Sequence, residues 1–100
     1  MLLVNQLKDL GDIHGAIYDF EKVGDILPKH NHSDYDVHIT IVARGKIKVY
    51  SHDWEVEGIA GQILDFRPNE PHEITALEDN TRIINIVKKF GGQSNDYIQA

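Results

Sequence analysis

His30 and His32 stand one residue apart, His38 follows shortly after, and His72 closes the proline-flanked stretch Arg67-Pro68-Asn69-Glu70-Pro71. Side chains on an extended strand alternate faces, so positions 30 and 32 point the same way. Neutral imidazole is the commonest ligand for transition metals. The pattern predicts one metal site assembled from separate strands. With no cysteine in the chain, nitrogen and oxygen would hold the ion without thiolate. Pro68 and Pro71 restrict the backbone ahead of His72, which lowers the entropy lost in presenting that imidazole.

Such ligands need a frame of strands. Short alternating or apolar runs, cut by Gly, Pro, Asn and Asp, dominate the chain, and no helical period persists beyond two turns. Strands are expected at residues 2–7, 16–23, 25–32, 37–43, 46–51, 54–57, 62–67, 72–77 and 81–89. Gly45 lies in Ala43-Arg44-Gly45-Lys46 and can take the positive φ of a tight hairpin. Further reversals are expected at 51–53, 57–61 and 77–80. Closely spaced reversals point to an all-β sandwich or barrel. Residues 91–100 open on Gly91-Gly92 and are polar, so they read as a flexible tail whose Tyr97 and Ile98 could dock on a partner subunit.

Length and charge narrow the function. One hundred residues suit a single compact domain, so any site must lie within the fold itself. A formal charge of -6 repels a phosphate backbone and offers no basic stripe, which disfavours nucleic acid and anionic lipid. No run approaches the roughly 20 apolar residues of a membrane span, and the first residues lack the pattern of a secretory signal. No membrane association and a cytoplasmic location are expected.

The order of these residues resembles the cupin family of small jelly-roll β-barrels. Gly24, His30, His32, His38 and Gly45 match its first motif, while Gly61, Pro68, Pro71 and His72 resemble its second. The likeness spans about residues 16 to 89. It implies a single domain over 1–90, with His30, His32, His38 and His72 as ligands. Cupins usually place a glutamate shortly after the second histidine, and this chain has none there. Counting back from Gly45 reaches His38, whereas counting forward from His32 reaches Asp36. His38 is favoured as the third ligand because the hairpin fixes register from the Gly45 side. Asp36 is then expected to hold an imidazole by its other nitrogen. Asn69 stands where the second motif commonly has glycine, and asparagine tolerates positive φ.

The resemblance implies one divalent Mn, Fe, Ni, Cu or Zn ion and chemistry on a small organic substrate: oxygenation, or isomerisation or lyase chemistry on a sugar-like or carboxylate compound. Asp36 and Glu70 are the candidate acid or base residues. Two other readings are a small-ligand-binding module without turnover and a structural dimer braced by its metal. His14 and His52 lie outside the motifs and read as solvated, as does Arg82, while Asn85 could reach a ligand's oxygen atoms. Trp54 and Phe66 are expected to pack the barrel. Ile39, Ile41 and Ala43 make one face of residues 37–43 too apolar for an exposed sheet, so a second subunit is expected to cover it.

Overall fold

The structure is a computed structural model that describes residues 1–30, 35–67 and 70–89. Nine strands form among them: β1 (Leu2–Asp9), β2 (Ile13–Phe20), β3 (Ile26–His30), β4 (Tyr35–Arg44), β5 (Lys46–Tyr50), β6 (Glu55–Ile59), β7 (Ile63–Asp65), β8 (His72–Ala76) and β9 (Thr81–Lys89). They make two sheets, ordered β1-β2-β9-β4-β7 and β3-β8-β5-β6, with every pairing antiparallel. The expected all-β jelly roll is present. Among the described residues no helix is long and apolar enough to cross a membrane. The expected tail at 91–100 lies outside the described residues.

Alternation explains the core. Phe20, Val42 and Ile83 point inward from the larger sheet and meet Ile47, Val49, Ile74 and Ala76 from the smaller one, all completely buried. Register then arranges the concave face of the larger sheet in transverse rows. Val4, Tyr18, Ile83 and Val42 form an apolar row, Leu7, Ala16, Asn85 and Thr40 a mixed one, and Asp9, His14, Val87 and His38 a polar one. One end of the sandwich is therefore sealed with hydrocarbon, and the other carries the groups capable of chemistry.

Two strand boundaries differ from the sequence reading for physical reasons. The second strand starts at Ile13, upstream of the expected residue 16, so His14 and Gly15 lie inside the sheet. The expected turn at 57–61 is shorter, because β6 continues through Gly58. Gly58 is buried, and a Cβ there would lie 3.2 Å from Leu64 and 3.3 Å from Val42. The glycine serves close packing between strands instead of reversal. Asn80 does take the left-handed conformation, with φ of 58°, inside the expected reversal at 77–80.

Surface charge is organised around Asp19. Its carboxylate accepts two hydrogen bonds from Arg82, at 2.7 and 3.0 Å, and one from Asn5 at 2.9 Å. The Arg82 guanidinium, followed by Asn5 and the nearby Arg44, holds the Asp19 carboxyl below the usual carboxylate range. Arg82 is thus a paired rim residue that ties β9 to β2, with no part in the concave face.

Candidate metal centre and ligand cavity

His38 comes from β4 and His72 from β8, so the two sheets each supply one imidazole. Their ring centroids lie 4.9 Å apart with the planes tilted by 57°. His38 is 6% exposed and His72 only 1%, and Nε2 is buried in both. In register, His72 is the cross-strand partner of His30 on β3. The backbone thus sets His30 beside His72 on the neighbouring strand, while the His38 ring lies against the His72 ring. His32, and the side chains of His30 and Asp36, lie outside the described residues. Among the described residues there is no group of three or more His, Cys, Asp or Glu side chains that could hold a metal.

The two imidazoles rest on an aromatic column. Phe66 stacks on His72 with centroids 4.2 Å apart and planes 13° from parallel, and contacts His38 at 4.9 Å. Trp54 continues the stack behind Phe66 at 6.4 Å. Phe66 and Trp54 do pack in the interior, as expected, and they also fix ring orientation at the site.

The turn ahead of His72 is knitted by hydrogen bonds. The Glu70 backbone N–H donates to the Arg67 carbonyl at 3.1 Å, and the Glu70 carboxylate accepts from the Trp54 indole N–H at 3.0 Å and from the Arg67 N–H at 3.2 Å. These donors, the indole first, hold the Glu70 carboxyl below its ordinary range. Its carboxylate is therefore ionised at neutral pH and occupied in bracing the turn. The backbone carbonyl of Glu70, in contrast, faces His72 Nδ1 at 2.9 Å. A carbonyl only accepts, so Nδ1 carries the proton and the lone pair resides on Nε2. At His72 the orienting partner is thus a main-chain oxygen.

The β4–β9 register slips between Tyr35 and Val37, upstream of the alternation that places His38, Thr40 and Val42 inward.

Beside His38 opens a cavity of about 630 Å³ lined on the larger sheet by His14, Ala16, Tyr18, Tyr35, Asn85 and Val87, with Leu27 contributed by the smaller sheet. His14, read from the sequence as solvated, is instead half-buried. Its Nδ1 lies 3.4 Å from the Asp9 carboxylate, and its ring faces Tyr35 at 6.4 Å. His52 is exposed, as expected. Asn85 is 9% exposed, and its Oδ1 accepts from the Thr40 hydroxyl at 2.6 Å.

No protein-family model matches the sequence, and no curated protein does. Solved structures do. A cupin-superfamily protein from Desulfitobacterium hafniense superposes with a TM-score of 0.79 at 11% identity, over 90% of this chain and 79% of that one. A protein of unknown function from Streptococcus pyogenes gives 0.78 at 16% identity, over 92% and 77%. KdgF from a Halomonas species gives 0.74 at 17% identity, over 89% and 79%. At these identities the likeness establishes architecture. The fold is the cupin jelly roll.

Proposed function

We propose that residues 1–90 form one metal-binding cupin domain that acts on a small organic substrate, with His30, His32, His38 and His72 as the ligands of a divalent Mn, Fe, Ni, Cu or Zn ion. The observation that carries this reading is the convergence of His38 and His72 from opposite sheets, both buried, with the Glu70 carbonyl fixing the His72 tautomer. The donor set fits a transition ion: two buried imidazoles are present, and the His30–His72 register puts a third histidine on the adjacent strand. When bound, the ion supplies Lewis acidity or a site for redox chemistry. The protein's own part is to hold the rings on Phe66, to keep His72 in one tautomer, and to exclude water by the buried apolar core beneath.

The cavity beside His38 favours substrate access over a purely bracing metal, because a structural ion is normally closed off by protein ligands. Oxygenation, isomerisation and lyase chemistry all suit such a site, with Asp36 as the acid or base candidate. Glu70 fits that part less well, since its carboxylate is engaged by Trp54 and Arg67. A binding module without turnover would use the same cavity. Metal analysis of untagged protein, followed by oxygen-uptake and isomerase or lyase screens, separates these readings. Metal is expected near one equivalent at pH 7.5 and lost as pH falls through about 6, where imidazoles protonate. Retention at much lower pH would point to carboxylate ligands instead.

A homodimer is part of the same proposal. Ile39 and Ile41 of β4 lie in register with Ile86 and Ile84 of β9, and Ile41 also with Ile63 of β7, on the convex face of the larger sheet. Ile17 of β2 extends the patch, and Ile13 and Val37 at its margin are 39% and 40% exposed. Four strands at about 4.8 Å spacing and seven residues at about 3.4 Å give a flat area on the order of 450 Å² before any rim is counted. That is somewhat more than half of the roughly 800 Å² per partner of a standard interface, the remainder falling to the rim. A second copy presents the same aliphatic patch about a two-fold axis and is the self-complementary occupant. Ile41→Glu is expected to convert a dimer to monomer in sedimentation analysis. A monomeric wild-type protein would remove this part of the proposal.

A further inference from the structure

The polar row of the concave face holds a second imidazole that the metal site does not use. Register places Asp9, His14, Val87 and His38 side by side on β1, β2, β9 and β4. His14 and His38 are therefore two interstrand steps apart, about 9.5 Å, and belong to the same face. Both line the cavity, and Asn85 lines it one row deeper.

Each of these groups has a defined hydrogen-bonding sense. The Asp9 carboxylate beside His14 Nδ1 can only accept, so it favours the tautomer with the proton on Nδ1. Nε2 is then an acceptor. It is buried and takes no hydrogen bond from any described residue, a condition that native structures ordinarily resolve with a ligand or water. Thr40 occupies Oδ1 of Asn85, so what the amide still offers the cavity is donor capacity from Nδ2. Between the two poles the wall is Val87 and Ala16, with the rings of Tyr18 and Tyr35 nearby.

We propose that His14, oriented by Asp9, is the distal anchor of the ligand cavity and selects a small polyhydroxylated acid, whose far hydroxyl donates to Nε2 while its carboxylate reaches the His38–His72 pole. Asn85 Nδ2 donates to an oxygen midway along the chain. An unsubstituted acid of the same length would bury its carbons but leave His14 Nε2 and Asn85 Nδ2 unmet, which is the stronger form of discrimination. The carboxylate end rests on the metal reading above; the His14 end does not.

The test uses D-xylonate and pentanoate, five-carbon acids with and without hydroxyls. In metal-free protein, nitrogen-detected NMR of the imidazoles is expected to place the His14 proton on Nδ1, and xylonate but not pentanoate should move the Nε2 resonance. In metal-loaded protein, calorimetry should show xylonate binding at least tenfold more tightly than pentanoate. His14→Leu should lose about tenfold in xylonate affinity at unchanged metal content, the loss expected for one good hydrogen bond. His14→Gln, whose carbonyl can accept in the same place, should recover part of it. An unmoved His14 resonance, a proton on Nε2, or equal xylonate affinity in His14→Leu would overturn the anchor. A His14 response in protein that takes up no metal would leave the anchor standing and sink the metal reading. Metal uptake with a silent His14 would do the reverse.

Discussion

His72→Ala is expected to strip the protein of its metal while leaving the β-sheet spectrum in place. The residue is 1% exposed, stacked on Phe66 and set against His38, so its loss removes both a proposed ligand and part of the interior. Deleting a ligand should lower metal affinity by more than the 10- to 100-fold typical of losing an outer partner. The vacated space should lower folding stability by about 2 to 3 kcal/mol, within the range for truncating a buried ring. His72→Phe separates the two effects, since it keeps an aromatic ring on Phe66 without a donor nitrogen. Metal analysis should find both variants depleted, while urea unfolding should find only the alanine variant strongly destabilised. Full metal occupancy in either would remove His72 from the ligand set.

His38 and His72 were legible as a pair because the hairpin glycine and the proline-rich turn mark their positions in the chain. The surroundings were not. His14 was missed because the second strand was expected to start only at residue 16, which left His14 outside the sheet. The signal available was parity: His14, Ala16, Tyr18 and Phe20 form an alternate set ending on a completely buried phenylalanine. Glu70 was read by its carboxylate, whereas its carbonyl faces the imidazole. Side-chain type says nothing about main-chain acceptors, and only the closed Arg67–Glu70 turn brings that oxygen to His72 Nδ1. The Asp36 side chain lies outside the described residues, and the register slip between Tyr35 and Val37 is a feature that leaves no mark in composition. The convex face was the easier inference, because a row such as Ile39 and Ile41 beside inward His38 and Thr40 has apolar groups on the side that a solvated sheet would make polar.

Gly45→Ala is expected to cost about 3 kcal/mol or more, a large share of the 5–15 kcal/mol that holds a typical domain together. Gly45 joins β4 to β5 at φ of +84°, where a side chain carries about 1 to 2 kcal/mol of strain. Its position adds a second cost. An added Cβ would run into Thr81 Oγ1 and lie 2.9 Å from Thr81 Cα, and main chain cannot rotate aside as a side-chain tip can. Thr81 is completely buried, and its hydroxyl donates to the Glu78 carbonyl at 2.9 Å, so retreat would break a contact that starts β9. Overpacking of this kind adds about 1 to 3 kcal/mol. Gly11→Ala isolates the dihedral part, because Gly11 has φ of +86° with nothing within 4 Å of the added carbon. Denaturant unfolding should therefore rank Gly45→Ala well below Gly11→Ala, and the gap measures the clash with Thr81. Equal losses would mean that the hairpin shifts freely. In that event the turn could not be what fixes the register of β4, nor what places His38 opposite His72.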